Sequence, residues 1–300
     1  RKVTRPWTIM EVCGGQTHTI VKSGLEDLLP REITLVHGPG CPVCVLPIGR
    51  IDQAIGLALQ RGAIVCTYAD TMRIPASQGL SLLRAKALGG DVRMVYSAAD
   101  ALAIARAHPD REVVFFAIGF ETTTPPTALV IRQAAQTGQR NFSVLCNHVL
   151  TPAAITHILE SPEVRELGSV PLDGFIGPAH VSTVIGSRPY EHFAQEYHKP
   201  VVIAGFEPLD ILQGVLMCVQ QLESGRAEVE NQYRRSVRQE GNRLAQQLIR
   251  EVFQVVPRKW RGVGAIPRSG LGLQQAYAAF DAEKRFGLAD RQVEEPAECI

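Results

Sequence analysis

Residues 113–136 read VVFFAIGFETTTPPTALVIRQAAQ. The stretch opens with an unbroken apolar run, halts at Gly119, passes an acid and three threonines, and then takes up helical spacing. An apolar run without alternation, rich in β-branched and aromatic residues, is the pattern of a strand buried on both faces. A helix reached through a short polar cluster makes it one strand–helix unit of a parallel sheet. The unit recurs along the chain. TIMEV (8–12) stops at CGGQTH, ITLV (33–36) at HGPGCPVC, AIVCTY (63–68) at Ala69 and Asp70, and VRMVY (92–96) at SAAD. FSVL (142–145) stops at CNH, GFI (174–176) at GPAH, and PVVIA (200–204) at GFEPLD. Helical spacing fills the intervals, as in IDQAIGLALQR (51–61), ADALAIARAH (99–108) and LDILQGVLMCVQQL (209–222).

Eight such runs predict an α/β fold with parallel sheets. They can close into one barrel or divide into two open, doubly wound units of similar fold. Their uneven spacing favours two units, with TGQRNF (137–142) as the joint. The expected division is 1–136, 137–225, and a smaller C-terminal region over 226–300. That last region begins with ENQYRRSVRQEGNRLAQQLIREVF (230–253), which reads as a charged amphipathic helix, and continues into a stretch rich in Gly and turn residues. In parallel sheets the polar strand ends gather at one rim, where ligands bind. The clusters quoted above are therefore expected to converge in space.

Composition narrows the function. Of 300 residues, 45% are hydrophobic and 20% charged, with a net charge of +1. No global field recruits nucleic acid or a membrane surface, and no apolar run approaches the roughly 18 residues of a membrane span. The stretch RKVTRPWTIM (1–10) lacks the apolar run of a signal peptide, and the missing initiator Met leads to an expectation of further residues upstream. Seven cysteines, an odd number in a long chain, argue against a secreted disulfide framework and for the reducing cytosol. No phosphate-binding GxxxxGK[ST] loop is present.

GPGCPVC (38–44) carries the densest signal. Cys41 and Cys44 form a C-x-x-C pair, able to make a disulfide or to chelate one soft metal, and such settings favour thiolate. Gly38 and Gly40 permit close backbone approach, and Pro39 and Pro42 stiffen the turn. A pair of buried strand-end cysteines is the plainer alternative. In VCGGQTH (12–18), Cys13 precedes a Gly-rich strand-to-helix turn made by Gly14 and Gly15. A helix N-terminus is expected to lower its thiol pKa, with Thr17 as a donor and His18 as a base or a mere cap. GFETTTPP (119–126) offers Glu121 as a proton carrier and Thr122 as a ligand contact, with capping as the plainer role for the threonines. His148 and His180, at two other strand ends, are candidate proton carriers, although a lone His there is more often structural. Asp210 reads as a cap, Cys66 and Cys218 as core residues, and Cys146 is open.

These residues carry a family resemblance. MEVCGGQTH (10–18), HGPGCPVCVLPIGRID (37–52), GFETT-x-P (119–125), GPAHVS-x-VIG (177–186), AGFEPLDILQGV (204–215), VENQYRR (229–235), WRG-x-G-x-IP-x-SG (260–270) and FDAEKRF (280–286) resemble the HypD family of hydrogenase formation proteins. Where many members have His, this chain has Gln16. The resemblance implies two similar α/β units and a C-terminal region binding a [4Fe–4S] cluster. It also implies a complex with a HypC-type chaperone, a HypE-type cyanide donor, and assembly of the Fe(CN)₂CO fragment of [NiFe] hydrogenase. By the same resemblance Cys13 is an iron ligand, Cys41 and Cys44 a redox pair, and Cys299 the first cysteine of the cluster region. One cysteine cannot hold four irons, so this segment alone is expected to carry no cluster. A thiol–disulfide oxidoreductase and a zinc-binding interaction module are the alternatives.

Overall fold

The computed structural model describes residues 3–160, 172–288 and 293. Its strands are β1 (Trp7–Glu11), β2 (Ile33–His37), β3 (Ile64–Thr67), β4 (Val92–Met94), β5 (Val113–Gly119), β6 (Phe142–His148), β7 (Gly174–Pro178), β8 (Val201–Ala204), β9 (Val229–Asn231), β10 (Phe253–Trp260) and β11 (Gly264–Leu273). The helices are α1 (Gly14–Ser23), α2 (Ile48–Gln60), α3 (Leu82–Ala87), α4 (Ala98–Ala107), α5 (Thr124–Gln136), α6 (Thr151–Glu160), α7 (Ala179–Ile185), α8 (Glu191–Glu196), α9 (Pro208–Glu223), α10 (Arg243–Val252) and α11 (Ala282–Phe286). The eight apolar runs of the sequence are β1 to β8, and the fold is the expected mixed α/β class with two parallel sheets.

The backbone contacts do not divide the chain at 136 and 225. One compact unit joins Arg1–Cys41 to Thr151–Gln246, and the other joins Pro42–Leu150 to Gln247–Ile300. The reason is a strand pairing that no local pattern announces. β1 pairs with β7, Ile9 opposite Gly174 and Glu11 opposite Ile176, so the first and third stretches of the chain share a sheet.

In the first unit the strand order is β2-β1-β7-β8-β9, parallel where paired. Numbered within the unit, this is the 2-1-3-4-5 order of flavodoxin-like sheets. Because successive side chains point to opposite faces, each strand feeds two cores. Trp7, Ile9, Ile176, Val202 and Ala204 pack with Ile20 of α1 and with Ile211, Val215 and Cys218 of α9. Met10, Val12, Phe175, Val201 and Ile203 pack on the other face with Ile155, Ala179 and Phe193.

The second unit repeats the plan with the order β4-β3-β5-β6. Ile64, Cys66, Phe115 and Ala117 face α4 and α5, whereas Val65, Val114, Phe116 and Ile118 face α2 and α3. All seven residues of β5 are buried, as its unbroken apolar run requires. Ser97 and Asp100 close a reciprocal capping box at the start of α4.

The C-terminal region differs from expectation. Residues 230–253 are not one helix: β9 adds to the edge of the first sheet, turns follow, and only α10 is helical. Asn231 turns its amide back onto the Val237 carbonyl at 2.9 Å, a local bond that competes with helix. The Gly-rich stretch forms the antiparallel hairpin β10–β11, irregular between Val256 and Arg258, where Pro257 cannot donate. The hairpin belongs to the second unit. Leu150 donates to the Ser269 carbonyl at 2.8 Å, and the fully buried Trp260 donates its Nε1–H to Ser269 Oγ at 3.0 Å.

Candidate functional site

The first sheet reverses its direction of winding between β1 and β7. β1 leads through α1 to β2 on one side, and β7 leads through α7 and α8 to β8 on the other. The carboxyl ends at such a switch point form a crevice where ligands of open α/β sheets bind. Cys13 follows β1, and His180 follows β7. Cys13 Sγ lies 3.8 Å from His180 Nδ1.

A buried carboxylate holds this strand end. Glu11, 1% exposed, accepts from the Cys13 backbone N–H at 2.8 Å through Oε2. Its Oε1 accepts from the Thr17 hydroxyl and from His37 Nδ1 at 2.7 Å. Cys13 is the N-cap of α1, and its carbonyl accepts from the N–H of Gln16 at 2.8 Å and of Thr17 at 3.0 Å. Gln16, fully buried, donates its amide to the carbonyls of Gly177, Ala204 and Gly205, tying α1 to the ends of β7 and β8. It is a structural tie.

The β1 and β2 rims interlock as the sequence led one to expect. Gly14 donates to the Gly40 carbonyl at 3.0 Å, and Gly38 donates to the Glu11 carbonyl at 2.7 Å. A Cβ on Gly40 would stand 2.2 Å from the Cys13 nitrogen, so only glycine fits there. A Cβ on Gly14 would meet Cys41 Cβ at 3.5 Å, which places Cys41 beside the start of α1. Cys13 and Cys41 thus share one rim. Cys41 is half-buried and ends the first unit; Cys44, also half-buried, belongs to the second.

The electrostatics overturn one expectation. The Cys13 thiol is pushed up, not down. Burial is the largest cause, and the backbone N–H groups of Gln16 and Gly15 oppose it without prevailing. Negative charge at Glu11 and at Cys41 raises it further. Burial likewise lowers His180 to about 4. At neutral pH the pair is therefore a neutral thiol beside a neutral imidazole. Such a thiol loses its proton when a cation binds the sulfur rather than by free ionisation, because metal binding and deprotonation are linked.

The second unit has its own switch point, between β3 and β5. Glu121, 3% exposed, and the half-buried Thr122 follow β5 there. The neighbouring threonines do not cap as expected. Thr123 is the N-cap of α5, yet its hydroxyl donates to the Phe120 carbonyl at 3.1 Å instead of accepting an N–H. His148 is fully buried, with Nδ1 at 3.3 Å from the Gly119 carbonyl, Nε2 at 3.1 Å from Thr127 Oγ1, and its ring edge-on to Phe253. Burial lowers it to about 4. These are the surroundings of a structural histidine. His18 is exposed on α1. Asp210, in the first turn of α9, accepts from the backbone N–H of the N-cap residue Glu207, as a capping residue does, and it also pairs with Arg235 and accepts from Gln232 at 2.8 Å. Cys66 and Cys218 are core thiols, both pushed up to about 12 by burial, and Cys146 is a third, 3.4 Å from the Leu271 carbonyl.

Sequence reasoning passed over Glu11, His37 and Phe206. Glu11 hides inside an apolar run, yet a lone acid in a strand otherwise buried on both faces is a signal, since burying an unpartnered carboxylate is costly.

The chain matches the HypD family, described as the hydrogenase formation hypA family, over residues 1–300. It belongs to the HypD family. The hydrogenase maturation factor HypD of Cupriavidus necator is 64% identical over 294 residues, covering 98% of this chain and 78% of the relative. The Rhizobium leguminosarum factor of the same name is 59% identical over 296 residues, 98% of this chain and 77% of that protein. The Escherichia coli HypD is 51% identical over 290 residues, 96% and 76% respectively. A role in hydrogenase maturation follows for this chain.

The described residues do not fit an iron–sulfur cluster or a structural zinc. Among them no group of three or more His, Cys, Asp or Glu is placed to hold a metal ion. Cys66, Cys146 and Cys218 are buried in cores. Cys299, the remaining cysteine, lies outside the described residues. Among the described residues no helix is long and apolar enough to cross a membrane.

Proposed function

We propose that the β1–β7 rim is where this HypD protein receives the iron fragment of [NiFe] hydrogenase, an Fe(CN)₂CO unit handled as cargo. The observation that carries the reading is the placement of Cys13 at a switch point, beside His180 and on one rim with Cys41. Thiolate donors suit iron that carries strong-field ligands. The neutral thiol loses its proton as iron arrives, and His180, 3.8 Å from the sulfur, is a base placed to take it. Glu11 favours a cation over a bare thiolate at Cys13, since its negative charge attracts the cation and repels the thiolate.

Cys41 and Cys44, by their C-x-x-C spacing, are the reductant. A dithiol and a protein thiocyanate give a disulfide, a thiol and hydrogen cyanide; two electrons pass from the dithiol to the S–CN bond, and its two protons go to the products. A HypC-type chaperone is the partner that shares the iron, and a HypE-type protein is the thiocyanate donor. Glu121 and Thr122 are candidate proton and ligand contacts at the second unit's own switch point.

The test is anaerobic co-purification with the chaperone, read by infrared spectroscopy. Cyanide and carbonyl stretching bands are expected with the unaltered chain and lost with Cys13→Ala, at unchanged circular dichroism. Bands of equal intensity in Cys13→Ala would remove Cys13 as the ligand. Cys44→Ala should keep bound iron but lose the cyanide bands.

A further inference from the structure

Cys13 is 4% exposed, yet it stands at a rim, at the end of β1. Three residues enclose it. The His180 ring is 3.8 Å from Sγ, and the Phe206 ring lies 5.1 Å from the His180 ring, tilted by 58°. Gly15 forms the third side. A Cβ there would be 3.3 Å from Phe206 Cδ1 and 3.6 Å from Cys13 Sγ, so the thiol and the aromatic ring face the same small space beside an exposed glycine. Phe206 and His180 are half-buried while Cys13 is buried, so both neighbouring residues reach solvent where Cys13 scarcely does.

Phe206 is held from behind. Gly205 donates to Gln232 Oε1 at 3.2 Å and accepts from Gln16 Nε2 at 3.3 Å. A Cβ on residue 205 would stand 2.1 Å from Asp210 Oδ2 and 2.5 Å from Tyr233 Cε2. Asp210 is itself bound to Gln232 and Arg235, and Arg235 stacks over Tyr233 at 3.8 Å. The loop after β8 is thus fixed between α9 and the segment after β9, so the backbone that carries the Phe206 ring is held in place.

We infer that Phe206 sets the size limit on what reaches Cys13: compact ligands enter past Gly15, whereas bulky thiols and disulfides of the glutathione class are kept from the sulfur. The inference rests on Cys13 as the working thiol of the proposed site, and it assigns the site's selectivity to a residue that never touches the metal. A thiol reserved for one small metal fragment needs this exclusion, because exchange with a cellular disulfide would consume it.

Purified metal-free protein, reduced and held at one pH, is treated with iodoacetamide or with a bulky fluorophore-bearing maleimide, and the Cys13 peptide is quantified by mass spectrometry. Phe206→Ala should raise the maleimide rate at Cys13 by about tenfold or more and the iodoacetamide rate by only about twofold, while Phe206→Leu stays close to the unaltered chain. Gly15→Ala should slow both reagents. Equal acceleration of both reagents in Phe206→Ala, or no change in either, overturns the inference. The measurement uses no iron, so it succeeds or fails separately from the infrared test of Cys13 as ligand.

Discussion

Replacing Glu11 tests how the rim is built. Its carboxylate receives three donors, from the Cys13 backbone, the Thr17 hydroxyl and the His37 ring. They are not equivalent. His37 is 37% exposed and Thr17 is half-buried, so both can turn to water. The Cys13 N–H is buried and has no other partner of its own. In Glu11→Ala that donor is orphaned, which costs about 1–3 kcal/mol, and lost charge-assisted bonds and packing bring the total to roughly 2–4 kcal/mol. At about 2 °C per kcal/mol for a chain of this size, the midpoint of thermal unfolding should fall by about 4–8 °C. Glu11→Gln behaves differently. Its amide oxygen can keep the Cys13 N–H, and its NH₂ can turn toward Thr17 and His37, both of which can accept instead of donate. The loss there should be only about 1 kcal/mol. Scanning calorimetry of the two variants reads the difference, and alkylation of Cys13 reads its consequence. With the neighbouring negative charge gone, the Glu11→Gln thiol should alkylate faster at neutral pH, since Glu11 is among the groups that hold it protonated. If both variants melt with the unaltered chain, Glu11 does not organise the strand end. If Glu11→Gln is as damaging as Glu11→Ala, charge rather than geometry holds it, and the account above is wrong.

Gly40→Ala should fail where Gly14→Ala succeeds: the first drives a Cβ to 2.2 Å from a backbone nitrogen, the second makes an ordinary 3.5 Å contact. Soluble yield and melting midpoint distinguish them, and equal behaviour would contradict the interlocked rim. Acid sensitivity should trace in part to His148, held at about 4 in the fold against about 6.5 when unfolded. Between those values the unfolded chain binds more protons, so this contribution is intact above about pH 6.5 and lost as pH falls toward 4, about 3 kcal/mol in all. Urea midpoints measured from pH 7 to 4 should fall less steeply in His148→Gln; an unchanged slope would mean that His148 already charges in the fold. His180 titrates over the same window, so the slope should be reduced rather than abolished.

Much of this was legible in the sequence because parallel strands buried on both faces announce themselves. TIMEV, VVFFAI and PVVIA need no partner to be read, and the polar cluster after each had to lie at a rim. What escaped was non-local or shallow. VEN at 229–231 is three half-buried residues on a sheet edge, with no apolar run to mark it. β10 alternates irregularly around Pro257 and is half exposed. The pairing of β1 with β7 joins residues more than 160 positions apart, and local periodicity contains no term for it.

The site shows the same division. Cys13, Cys41 and His180 could be named because each stands at a strand end. The sign of the thiol's pKa could not, because it turns on a contest between two effects of comparable kind. The helix N-terminus offers the sulfur two N–H groups, and that alone would make a reactive thiolate. Burial under Phe206 and His180, with Glu11 close by, outweighs it. The two outcomes suit different chemistries. An exposed thiolate suits exchange with protein disulfides; a shielded, protonated thiol beside a buried carboxylate waits for a cation. The geometry at Cys13 therefore favours the proposed cation site over disulfide exchange at that residue, while the oxidoreductase alternative, which rests on the C-x-x-C spacing of the half-buried Cys41 and Cys44, is a separate question.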